Sequence, residues 1–188
     1  TTPPEKAGGS AKPLVDLADR RDARIPWPDA PLSTKQAPAR NSIRFVSDPL
    51  PSGTEIDGSL RGEFDITPSR QDVDLVVSLY ELTAGGDYQL LFEPYDFRAS
   101  YAGHRRYRRL LRAGERQMLA FTTERATARK LAAGSRIVLV VGINKRADRQ
   151  VNYGSGKDVN SETIADAKRP VRVRLHAGSH VEIQAGKP

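Results

Sequence analysis

Two aspartates one residue apart, Asp72 and Asp74, and two histidines flanking a Gly178-Ser179 pair, His176 and His180, are the residues of this chain whose types and spacing could do chemistry. On a strand, positions i and i+2 share a face, so Asp72 and Asp74 would present paired carboxyls. Carboxyls about 5–5.5 Å apart serve retaining glycosidases, and the same oxygens suit calcium. At a strand start, such residues also serve as hydrogen-bond acceptors for the neighbouring loop. His176 and His180 could begin a metal site, but no third ligand is evident. His176 with Ser179 lacks the carboxylate that orients a catalytic histidine. No G-x-S-x-G nucleophile elbow occurs. Gly154-Ser155-Gly156-Lys157 resembles the end of a phosphate loop without meeting G-x-x-x-x-G-K-[ST]. Accordingly, we assign no catalytic residue and no cofactor; Asp72 and Asp74 stay as the calcium candidates.

A second constellation is aromatic. Tyr88, Phe92, Tyr95, Phe97, Tyr101 and Tyr107 fall within twenty residues, with Arg98, Arg105 and Arg106 among them. Such a set can stack sugars or bases, or pack a hairpin and core. A basic run follows, His104-Arg105-Arg106-Tyr107-Arg108-Arg109, continuing to Arg112. It suits a solvated loop, a phosphate contact or docking on an acidic surface. The formal net charge of +7 points first to nucleic acid. Acidic residues interleave with basic ones almost throughout, as in Asp16 to Asp22, which argues against that partner.

The elements that must position these residues are strands. The chain has 188 residues, enough to bury a core without staples, and no cysteine, which excludes disulfides and thiol chemistry. No apolar run approaches the roughly 20 residues of a membrane helix, and no signal-peptide pattern is visible. A first residue of Thr1 leads us to expect a processed chain or a piece of a longer one. The compartment stays open. Residues 1–40 hold seven of the thirteen prolines and no sustained apolar period, so an extended arm is expected there. Leu14, Val15, Leu17 and Ala18 are expected to form a short helical turn. Trp27, the only tryptophan, is expected to anchor the arm against a neighbouring surface.

From Asn41 the pattern changes. Ser42 to Val46 is a short β run. Ile56, Gly58, Leu60, Gly62, Phe64 and Ile66 alternate, as do Val73, Leu75, Val77 and Leu79. Tyr88–Phe92, Met118–Thr123 and the β-branched Arg136–Ile143 read as further strands. Glu124 to Ala133 carries alanines and charges at helical spacing, which predicts a short helix. Residues 152–168 form a polar loop. Val171, Val173 and Leu175 alternate, Gly178-Ser179 is expected to turn the chain, and Val181 and Ile183 close it. With no βαβ rhythm, residues 41–186 read as an all-β antiparallel sandwich.

Several stretches, in order, resemble one family. They are Phe45-Val46-Ser47-Asp48-Pro49-Leu50 with Glu55-Ile56-Asp57-Gly58; Asp72-Val73-Asp74-Leu75; Leu110-Leu111 with Gly114-Glu115; Gly134-Ser135-Arg136-Ile137; and Asn152-Tyr153-Gly154-Ser155-Gly156-Lys157-Asp158-Val159 with Glu162 and Ala165. Together they resemble the C-terminal domain of the X-prolyl dipeptidyl peptidase, cocaine esterase and cephalosporin acylase (CocE/NonD) group of serine hydrolases. The resemblance implies a jelly-roll-like, galactose-binding-domain-like sandwich. It implies packing on an upstream α/β-hydrolase domain, which carries the triad, and a part in shaping its substrate pocket. The docking or pocket surface expected on that basis is Trp27, Tyr95, Phe97, Tyr101, Arg105, Arg106, Tyr153 and Lys157. A homo-oligomer stays open. The rival is a stand-alone carbohydrate-binding module using the aromatics of residues 88–107.

Overall fold

Alternation of apolar side chains along long runs forces most of this chain into strands that bury one face. The computed structural model describes residues 10–21, 33–35 and 41–186; Trp27 lies outside them. The strands are β1 (Ser10–Ala11), β2 (Leu14–Val15), β3 (Ser33–Thr34), β4 (Ser42–Val46), β5 (Thr54–Pro68), β6 (Asp74–Leu82), β7 (Tyr88–Arg98), β8 (Gln117–Leu131), β9 (Arg136–Ile143), β10 (Val171–His176) and β11 (His180–Gly186). The described helices are three one-turn 3₁₀ segments, Ala99–Tyr101, Val159–Ser161 and Ile164–Asp166. None of them is long and apolar enough to cross a membrane.

Every pairing is antiparallel, and the strands form two sheets. In one, β5 is central. β8 covers one edge of it from Thr54↔Leu131 to Ile66↔Gln117, and β10 and β11 share the other edge. The second sheet has the order β3-β7-β6-β9-β4. Phe64, Ile66, Leu119 and Phe121 from the first sheet meet Leu75, Val77, Leu91 and Val141 from the second in one buried core. The expected all-β antiparallel sandwich is therefore the architecture observed.

Three local expectations are corrected. Residues 124–131 are not helical. They complete β8, paired with Thr54–Ser59 of β5, so cross-strand pairing overrides the helix preference of Ala126 and Ala128. Leu14–Val15 is a strand on β10, and Val15 and Leu17 are fully buried in the core, so no helical turn forms there. Gly178-Ser179 does not reverse the chain. β10 pairs through Leu175↔Ile66 and β11 through His180↔Glu63, along the same edge of β5, so residues 176–179 bulge out of one continued line.

That bulge covers Asp65. The Ser179 hydroxyl accepts from the Asp65 N–H at 3.0 Å and donates to its carbonyl. Arg116 forks onto the Asp65 carboxylate, its Nε 2.7 Å from Oδ1. This charged hydrogen bond holds the Asp65 pKa below its ordinary value of 3.8, against the opposing effect of burial. A lowered carboxyl pKa means the unfolded chain binds the proton more readily. The pair's contribution is therefore complete above about pH 4 and is lost as pH falls through the lowered value. We expect Arg116→Met to cost stability at pH 6, with the gap from wild type closing between pH 4 and pH 2. A gap that stays constant over that range in urea titrations would assign the cost to packing instead.

Candidate functional site

Loops that leave adjacent strands at one end of a sandwich must meet, and here three of them do. They are the β5–β6 link (69–73), the β7–β8 crossover (99–116) and the long β9–β10 connection (144–170). Asp72 is their hub. It is completely buried. Its Oδ1 accepts from the backbone N–H of Val73 (2.9 Å) and of Ser100 (3.0 Å). Its Oδ2 accepts from the Ser100 hydroxyl (2.7 Å) and from Arg108 (3.1 Å). The other guanidinium nitrogen of Arg108 donates to the Lys157 carbonyl at 2.7 Å. One ion pair thus joins all three loops.

Asp74 has a different task. Arg98 forks onto it at 2.9 and 3.1 Å, and the Asn152 amide donates to it at 2.8 Å. Each carboxylate is thus engaged by a guanidinium group, Asp72 by Arg108 and Asp74 by Arg98. Among the described residues no three His, Cys, Asp or Glu side chains converge as a metal cluster. His176 bonds the Thr67 hydroxyl, whereas Ser179 bonds the Asp65 backbone, so they do not form a nucleophile–base pair.

The Gly154-Ser155-Gly156 loop is also structural. Asn152 Oδ1 accepts from Gly154 N–H, and Glu162 accepts from the N–H groups of Tyr153 and Ser155, each at 2.7 Å, and from the Ser155 hydroxyl. Gly154 and Gly156 have φ of +73° and +88°, the left-handed region that glycine tolerates. Tyr153 packs against the core, and Lys157 pairs with Asp166 at 2.6 Å, lowering the Asp166 pKa. Tyr153 is thus half-buried, whereas Lys157 stays exposed beside its partner.

Tyr95, Phe97, Tyr101 and Arg105 do come together. They line a cavity of about 430 Å³ with Phe121 and Glu124 where the two sheets part. Stacked rings line it: Phe97–Phe121 centroids lie 5.2 Å apart and Tyr95–Phe97 5.7 Å, and the buried Phe64 ring is tilted against Phe121 at 4.9 Å. Arg105 and Glu124 pair across its mouth at 2.5 Å. Burial raises the Tyr95 pKa, with Arg105 lowering it and Glu124 raising it further. Most of the aromatic cluster is thus spent on packing. Tyr88 packs on Tyr80, and the large exposed aromatics are Tyr101 and Tyr107. Arg106 does not line the cavity and is exposed.

Asp96 carries no motif or spacing in the sequence that marks it. It lies between two smaller cavities, 3.4 Å from Arg149 and 4.0 Å from Arg146. Desolvation raises its pKa, against the pull of both arginines, and its Oδ1 has no hydrogen-bond partner among the described residues. The Asp72–Arg108 pair was equally invisible, because the partners are 36 residues apart. The legible signal was Asn152 ahead of two glycines, which marks a side-chain-closed turn.

No family model and no curated protein matches this chain. Solved structures do. An α-amino acid ester hydrolase matches 97% of the chain with a TM-score of 0.78 at 17% identity. An aminopeptidase from a marine-sediment Thaumarchaeota archaeon matches 99% with a TM-score of 0.76, also at 17% identity. A CocE/NonD family hydrolase from Staphylococcus aureus matches 94% with a TM-score of 0.58 at 12% identity. The chain spans only about a third of each, 33%, 34% and 32% of their lengths. It has the fold of a domain within these larger hydrolases.

Proposed function

We propose that the chain is a non-catalytic domain of a serine hydrolase of the CocE/NonD type. In this reading it is the C-terminal, galactose-binding-like domain, packed on an upstream α/β-hydrolase domain and helping to wall its substrate pocket. The observation that carries the reading is the fold match, which takes in nearly all of this chain and a third of each hydrolase. The interior of the loop cluster agrees with it. Asp72, Ser100 and Arg108, and Glu162 with Ser155, bond one another and the loop backbones, as in a scaffold. The parent's chemistry would be cleavage of esters or of X-Pro peptides.

The 188-residue chain should not hydrolyse p-nitrophenyl acetate above the buffer rate. The longest polypeptide its gene encodes should be labelled by a fluorophosphonate at one serine outside these residues. Label on a serine within the chain would replace the accessory role with a catalytic one. Absence of any labelled serine would remove the hydrolase reading.

A further inference from the structure

Rigid loops that expose tyrosine and arginine are the composition of interface hot spots. The β7–β8 crossover is such a loop. Its inward residues are fixed: Ala99, Ser100 and Leu111 are buried, and Arg108 is tied to Asp72. Its backbone closes on itself and on the neighbouring link, with Arg109 N–H to Ser100 O and Leu111 N–H to Gln71 O, both 2.7 Å. Other residues of the loop face outward. Tyr107 is 65% exposed, Leu110 42% and Tyr101 37%. Exposed apolar groups on so well-fixed a loop are pre-organised for a partner, because little further ordering is needed on binding.

Charge says what that partner carries. From Phe97 to Gly114 there are six arginines and no carboxylate. Arg98, Arg105, Arg108 and Arg112 find theirs in Asp74, Glu124, Asp72 and Glu115. Arg106 and Arg109 are exposed and make no ion pair among the described residues. We infer that residues 101–110 are the face by which this domain docks on an acidic, apolar-centred protein surface in the remainder of its native polypeptide, with Tyr107 at the centre and Arg106 and Arg109 meeting carboxylates. The inference rests on the reading of the chain as one domain of a larger hydrolase. Two unpaired arginines are too few for a nucleic-acid track. Their salt slope would be only about −1.4 to −1.8, from −0.7 to −0.9 per phosphate.

Hydroxyl-radical footprinting of the gene's longest polypeptide, beside the 188-residue chain, tests this directly. Tyr107 oxidation should fall several-fold in the longer protein and return to the level of the shorter chain in the R106E/R109E variant. An R129E control, on the exposed stretch of β8, should leave the protection intact. Tyr107 oxidised equally in both proteins, while a fluorophosphonate labels the longer one, would overturn the docking face and leave the hydrolase reading standing. Protection that survives R106E/R109E would overturn the acidic partner. Protection that appears in the 188-residue chain only on adding a 20-mer of single-stranded DNA would replace the protein partner with nucleic acid. If no serine is labelled, both readings fall together.

Discussion

Asp72→Ala is expected to lower the unfolding free energy by about 3–5 kcal/mol, the cost of breaking a buried ion pair from one side. The Asp72 side chain is fully buried, and that of Arg108 is 22% exposed. Alanine would leave Arg108 without its carboxylate and strand two backbone N–H groups and the Ser100 hydroxyl. Those donors sit where water has little access, so their desolvation is not repaid. Asp72→Asn keeps the shape and an oxygen for the Val73 and Ser100 N–H groups, but turns an amide toward Arg108. Its cost should fall between wild type and alanine. Removing the cation as well, in D72N/R108M, should cost less than the sum of the two single changes, because neither is left with an unpaired charge. Urea titrations with an unchanged m-value would read these differences. A cost below about 1 kcal/mol for Asp72→Ala would show that the three loops do not depend on this hub.

How much of this was legible in the sequence divides along physical lines. Strands whose apolar and glycine positions alternate with polar ones, such as Ile56 to Ile66, declared themselves because period two is local information. Residues 124–131 did not. Ala126, Ala128 and Lys130 favour a helix in isolation, and only the partner strand β5, some seventy residues away, makes them β. The bulge at 176–179 shows the same limit: a Gly-Ser pair is compatible with a reversal, and the shared edge of β5 decides otherwise. At the site, the clustering of Tyr95, Phe97, Tyr101 and Arg105 in one cavity followed their closeness in sequence. Which aromatics would be consumed by stacking did not follow, because Phe64 and Phe121 come from other strands. The pair of Asp72 and Arg108 belongs to the same class. Its value lies in joining segments that the chain itself keeps apart.

Gly154→Ala is expected to cost about 2–4 kcal/mol, combining a left-handed backbone with an over-packed contact. Gly154 has φ +73°, and a Cβ there would lie 2.6 Å from the Asp72 carbonyl oxygen and 2.9 Å from the Arg70 Cβ. Neither neighbour can give way easily. Asp72 is held by its four hydrogen bonds, and the Gln71 N–H bonds the Gly154 carbonyl at 3.3 Å. Gly86→Ala supplies the comparison. Gly86 has φ +83° in the β6–β7 turn, and a Cβ there would meet nothing within 4 Å. Its cost should be the backbone part alone, about 1–2 kcal/mol. The difference between the two variants then measures how closely the 152–162 loop is pressed onto the Asp72 link. Because Arg108 reaches the Lys157 carbonyl in that loop, displacing it should also loosen the crossover that presents Tyr107. Hydrogen exchange at Arg109 and Leu111, whose N–H groups bond Ser100 and Gln71, should therefore quicken in Gly154→Ala and stay unchanged in Gly86→Ala. Equal costs and equal exchange in the two variants would mean that the loops are independent. The exposed face would then owe its rigidity to its own turns rather than to the buried cluster beneath it.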